Sequence, residues 1–137
     1  MPRYVAERVL LAPVGDVWGF LAEPYHLSDW WPGISGVEPD RRGMAAGARW
    51  QVQGPSFLRR PETERVLLVR AVAPKELFSF ELPSERLGVI VQLQAAGADR
   101  TTVTVAVDGR FLFGPASTVG KQALGRLYDL VQTAAER

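Results

Sequence analysis

The chain contains no cysteine. Disulfides, thiol catalysis and Cys-ligated zinc or iron–sulfur centres are therefore excluded. The sole histidine is His26, and one His cannot build a multi-histidine metal site. No metal and no cofactor is expected. Asparagine is absent as well, lysine occurs only at Lys75 and Lys121, and isoleucine only at Ile34 and Ile90. Arginine carries nearly all the positive charge. A GC-rich bacterial genome suppresses Asn, Lys and Ile together, whereas thermophilic adaptation enriches Lys. An excess of charge of either sign is also lacking. The net charge of +1 argues against an electrostatic nucleic-acid binder, which needs a concentrated basic excess. No run approaches the ~18 apolar residues that span a bilayer, and the N-terminus shows no apolar signal segment. The expectation is a cytoplasmic protein with no nucleic-acid partner and no membrane insertion.

What is present is ordinary for a globular protein. Of 137 residues, 47% are hydrophobic and 23% charged. That length fits one domain, residues 1–137, able to bury roughly two-thirds of its unfolded surface without a staple. Residues 5–11 read as a strand. Pro13 then suits the first helical position, where its missing N–H costs nothing. Val14, Val17, Trp18 and Leu21 follow at helical spacing, and Leu27, Trp30 and Trp31 repeat it after a break at Pro24. Pro32-Gly33 stops this second short helix.

The middle of the chain alternates. Residues 35–39 form a short strand, and Asp40-Arg41-Arg42-Gly43 is turn chemistry. In residues 49–53, Trp50 and Val52 face one way and Arg49, Gln51 and Gln53 the other. Strands are predicted over 63–73, 77–82, 86–94 and 101–108, joined by short turns as in an antiparallel meander. A long helix runs from Pro115 to about residue 135. Its stripe includes Val119, Ala123, Leu124, Leu127 and Val131. Segregated strands and helices indicate an α+β class.

These residues resemble the helix-grip superfamily of START-like and polyketide cyclase/dehydrase-like proteins. The resemblance is carried by Ala12-Pro13-Val14-Gly15-Asp16-Val17-Trp18 with Phe20-Leu21, and by Leu27-Ser28-Asp29-Trp30-Trp31-Pro32-Gly33. Gly47 and the closing helix around Gly120-Lys121-Gln122-Ala123-Leu124-Gly125-Arg126-Leu127 also fit. It implies a curved antiparallel sheet of about six or seven strands around the long C-terminal helix, with two short helices after the first strand. It also implies a cavity between sheet and helix that takes a hydrophobic, lipid- or polyketide-like small molecule. The ligand-binding residues expected are Trp18, Trp30, Trp50, Phe78, Phe80, Val91, Leu93, Leu124 and Tyr128. Two alternatives stay open. One is a polyketide cyclase or aromatase-type enzyme, for which no catalytic residue can be assigned. The other is a protein-interaction module resembling the activator domain of a heat-shock ATPase. A filled core with an exposed apolar patch would favour the latter, and a titratable group inside the cavity would favour the former.

Several tempting signals are set aside. His26, Ser28 and Asp29 are too close in sequence to align as a catalytic triad, and a surface His is expected. Gly114 to Lys121 looks faintly like a phosphate loop, but one residue too many separates Gly114 from Gly120. Arg49 or Arg70 could pair an anionic group, although a solvated sheet face is favoured. At least one of Trp30 and Trp31 is expected to be a packing plug. Ala116, Gly120 and Ala123 either leave volume for a ligand or let the helix approach the sheet. Finally, residues 66–69 and 89–91 are apolar on both faces, and a homodimer through the outer sheet face would cover them.

Overall fold

The computed structural model describes residues 3–53, 65–83, 86–109 and 115–135. The elements run β1 Arg3–Leu10, α1 Val14–Leu21, a 3₁₀ turn Pro24–His26 and α2 Leu27–Trp30. Then come β2 Gly36–Glu38, β3 Arg49–Gln53, β4 Val66–Ala73, β5 Leu77–Leu82, β6 Leu87–Ala95, β7 Thr101–Gly109 and α3 Pro115–Ala135. Among the described residues, all seven strands lie in one antiparallel sheet of order β1-β7-β6-β5-β4-β3-β2. Strands β2 to β7 are the expected meander. β1 closes onto β7, with Ala6 opposite Val105 and Leu10 opposite Thr101. This is the α+β helix-grip architecture.

Period-two alternation decides the faces. Trp50 and Val52, Phe78, Phe80 and Leu82, Val89, Val91 and Leu93, and Val103, Val105 and Val107 are all buried. Their neighbours along each strand are half-buried or exposed. In β4 the alternation slips at a bulge between Val69 and Ala71. Leu67 and Val69 point inward, and the next inward-packed residue is Val72 rather than residue 71. A bulge bends its strand and raises local twist, which helps the sheet curve. Arg70, the extra residue, points outward and pairs with Glu81 at 2.7 Å.

α3 packs on β1 and β7. A methyl group at Gly120 would sit 3.5 Å from Val105 Cγ1, 3.6 Å from Val107 Cγ2 and 3.9 Å from Ala6 Cβ. The glycine therefore marks close approach of helix and sheet, not open volume. Side chains at 115–117, including Ala116, and the segment 54–64 with Arg59 and Arg60 lie outside the described residues.

Local chemistry refines the helix starts and turns. Pro13 caps α1 rather than opening it: its extended backbone lets its carbonyl accept the N–H groups of Asp16 and Val17 at 3.0 and 3.1 Å. Trp31 falls one residue past α2, its N–H still bonded to Leu27 O at 2.8 Å. In the β4–β5 turn, Pro74 is followed by Lys75 at φ +65°, and Glu76 N–H reaches Ala73 O at 2.9 Å. That is the pattern of a type II turn, with lysine where glycine is preferred.

Candidate functional site

The concave side of the sheet is apolar and aromatic. Trp30 and Trp31 stand edge-to-face, 5.8 Å between ring centroids, and Trp31 stands edge-on to Phe80 at 5.4 Å. Phe80 contacts Phe78 at 5.1 Å, and Phe78 stacks near Trp50 at 6.0 Å. One aromatic chain thus crosses from α2 over β5 to β3. These spacings lie in the range where ring quadrupoles attract, adding to the large area each ring buries.

Of the nine residues expected to bind ligand, seven are buried: Trp30, Trp50, Phe78, Phe80, Val91, Leu93 and Leu124. Trp18 on α1 and Tyr128 on α3 are half-buried and pack against the same core. Trp50, Phe80 and Val91 are 0% exposed, so no water-sized gap adjoins them. The fold gathers these side chains on or around one interior, and there the aromatic chain is close-packed.

Polar groups are sparse inside. Among the described residues the only buried polar side chain is Thr101, whose hydroxyl donates to Ala12 O at 2.8 Å. The indole N–H of Trp50 donates to Gly43 O at 2.8 Å. That carbonyl belongs to a loop organised by Asp40, whose carboxylate accepts N–H groups from Arg49, Arg42 and Gly43 at 3.0, 3.0 and 3.3 Å. The Arg49 N–H above all, with the other two, holds the Asp40 carboxyl below the usual carboxylate range. An exposed acid thereby fixes the backbone that satisfies a buried indole.

Other candidates resolve into structure. His26 is half-buried rather than on the surface. Its ring stacks on Phe20 at 4.1 Å and its Nδ1 lies 2.9 Å from Phe20 O, which assigns the proton to Nδ1. Arg70 is engaged with Glu81 on the outer face, and Arg49 is exposed beside it on β3. Trp31, weighed with Trp30 as either a pocket wall or a packing plug and not among the nine, touches Phe80 in the same chain of rings, and Arg8 is not singled out by the sequence. The guanidinium carbon of Arg8 sits 3.9 Å from the centroid of the Tyr128 ring, a cation–π contact where β1 meets α3. Arg8 stands opposite Val103, so it shares the concave face.

The sequence matches the family described as polyketide cyclase / dehydrase and lipid transport over residues 1–134. The chain belongs to this family. The polyketide cyclase / dehydrase and lipid transport fold is that of a hydrophobic-ligand-binding domain. Solved structures agree on architecture. XoxI from Bacillus cereus is similar at TM-score 0.75 and 11% identity, with 98% of this chain and 99% of that one covered. A protein from Nitrosospira multiformis gives 0.73 at 19% identity, covering 99% and 100%. MLL2253 from Mesorhizobium loti gives 0.71 at 20% identity, covering 96% and 98%. No curated protein matches the sequence. Among the described residues, no helix is long and apolar enough to cross a membrane.

Proposed function

We propose that the protein binds a lipid- or polyketide-like small molecule between the curved sheet and α3. The observation that carries this reading is an interior apolar from β3 to β7, in which the sole buried polar side chain described is already bonded. Trp18, Trp30, Trp50, Phe78, Phe80, Val91, Leu93, Leu124 and Tyr128 would form the walls. A ligand burying about 300 Å² of apolar surface gains about 7–8 kcal/mol before ordering costs are subtracted. Arg8, held over Tyr128, is the positive group an acidic ligand head would meet.

Close packing around Phe80 sets a condition on this reading. The ligand must enter a conformation in which the aromatic chain has parted, and the apparent affinity falls by the fraction of molecules in that state. The same packing favours a second reading, a protein-interaction module, because a filled core leaves recognition to the surface. Cyclase chemistry has weaker support: no described titratable side chain is buried in the interior to act as acid or base.

Organic extraction of the purified protein, with mass spectrometry of the extract, separates the readings. Ligand binding expects an apolar compound in stoichiometric amount, absent from an unrelated protein purified in parallel. An empty extract from natively expressed protein tells against it.

A further inference from the structure

Among the described residues, β1 is an edge strand, hydrogen-bonded to β7 on one side only. Among the described residues, four of the five exposed large hydrophobic side chains lie on it or just after it: Tyr4, Val5, Val9 and Leu11. Val5 is the most exposed of the four, at 61%. A long edge strand with exposed apolar side chains is a template for another strand. Natural edges are commonly blunted by proline or a bulge. Here Arg3–Leu10 pairs with β7 in unbroken register and contains no proline.

The charge pattern identifies the occupant. Arg3, Val5, Glu7 and Val9 lie opposite Asp108, Ala106, Thr104 and Thr102, all on the outer face. We infer that two copies of this chain associate through β1, antiparallel about a two-fold axis at Val5, to form one continuous sheet of both copies. An axis normal to the sheet keeps outer face beside outer face. It then sets Arg3 opposite Glu7 of the second copy, Val5 opposite Val5, and Glu7 opposite Arg3. Both charges are matched, and the most exposed valine is covered at the centre.

Neighbouring registers do worse. A shift one way places Val5 opposite Glu7 and Arg3 opposite Val9. A shift the other way places Arg3 opposite Val5 and carries Glu7 past Arg3, the first described residue of the strand. The charged groups also have capacity to spare. Arg3 gives Nε and Nη2 to Asp108 at 2.9 and 3.1 Å, which leaves Nη1 to donate. Glu7 accepts one long bond of 3.4 Å from Thr104. Hydrogen bonds from Arg3 already hold the Asp108 carboxyl below the usual range, so the cluster remains charged at neutral pH. The outer-face centre is a poorer surface, since it carries the Arg70–Glu81 pair.

The absence of cysteine provides the test. Residues directly opposite in an antiparallel pair have Cα atoms about 4.5–5.5 Å apart, within disulfide range. Val5→Cys therefore cross-links to a covalent dimer under mild oxidation. Val9→Cys, also exposed, does not, because its two copies lie about 26 Å apart along the sheet at 3.3 Å per residue. Sedimentation of the wild-type chain from about 1 µM to about 1 mM shows a concentration-dependent dimer. Val5→Lys, which sets two ammonium groups face to face at a site open enough to accept them, abolishes it while melting cooperatively. Arg3→Glu and Glu7→Arg each stop self-association, and their equimolar mixture restores a dimer. A monomer throughout, Val9→Cys cross-linking as readily as Val5→Cys, a dimer that survives Val5→Lys, or a mixture that stays monomeric overturns the inference.

Discussion

Replacing Gly120 by alanine should stabilise the protein, although the residue is buried against the sheet. Glycine inside a helix costs about 1 kcal/mol relative to alanine. The new methyl would meet Val105, Val107 and Ala6 at 3.5, 3.6 and 3.9 Å, which are ordinary contact distances. Each such contact adds about 0.1–0.2 kcal/mol of dispersion. The expected gain is therefore about 1–1.5 kcal/mol, or a rise of about 3–5 °C in Tm for a chain of this size. Gly125 is the control, because nothing lies within 4 Å of a methyl placed there. Gly125→Ala should show the helix part of the gain without the contacts. Gly120→Phe should lose about 1–3 kcal/mol by overpacking. Denaturant titration of the three variants, followed by circular dichroism, reads all of these. If Gly120→Ala destabilises, the helix lies closer to β7 than the geometry here has it. If Gly120→Phe is neutral, open volume exists at that point, and the small residues of α3 belong to a ligand channel instead of a packing seam.

Three other substitutions probe the turns and the loop. Trp50→Phe removes the donor to Gly43 O and leaves unfilled space, and should cost about 1–3 kcal/mol in chemical denaturation; no loss would mean the indole bond carries no net stability. Lys75→Gly relieves a left-handed backbone at a cost of about 1–2 kcal/mol, partly offset by glycine's unfolded-state freedom, so a net gain of about 0.5–1 kcal/mol is expected in Tm-based comparison. Asp40→Asn keeps the side-chain shape but removes the charge. Because the folded pKa of Asp40 is depressed, its contribution is present above the ordinary carboxylate pKa and fades as pH falls through the folded value. The variant should melt below wild type at pH 7, and the gap should close in strong acid; a gap independent of pH would show that the charge is not what the loop needs.

Most of the architecture was legible in the sequence because burial enforces periodicity. Val103, Val105 and Val107 alternate with Thr102 and Thr104, so β7 declared both its state and its face. The long stripe through Ala123, Leu124, Leu127 and Val131 did the same for α3. Local exceptions were harder to read. The bulge at Arg70 leaves no composition signal, since an extra outward residue in an apolar strand looks like any other. Lys75 adopts a glycine-like backbone because Pro74 and the two strands impose it. The role of Gly120 was undecidable from sequence, where open volume and close approach call for the same small residue. The interior was legible only as a set of large apolar side chains. That Trp31, Phe80, Phe78 and Trp50 touch in series depends on strand order and register, which a single chain does not display. Arg8 over Tyr128 was hidden for the same reason, its partner lying at the far end of the sequence.

The central claim is that an apolar guest can part this aromatic interior, and intrinsic tryptophan emission reports on it directly. Trp30, Trp31 and Trp50 are buried there and Trp18 packs against it. Delipidated protein titrated with a long-chain fatty acid and, separately, with a polycyclic aromatic phenol should show saturable emission change at one site per chain with at least one of them, and Phe80→Leu should shift that midpoint. Emission unchanged by either compound in protein that still unfolds cooperatively would contradict the account.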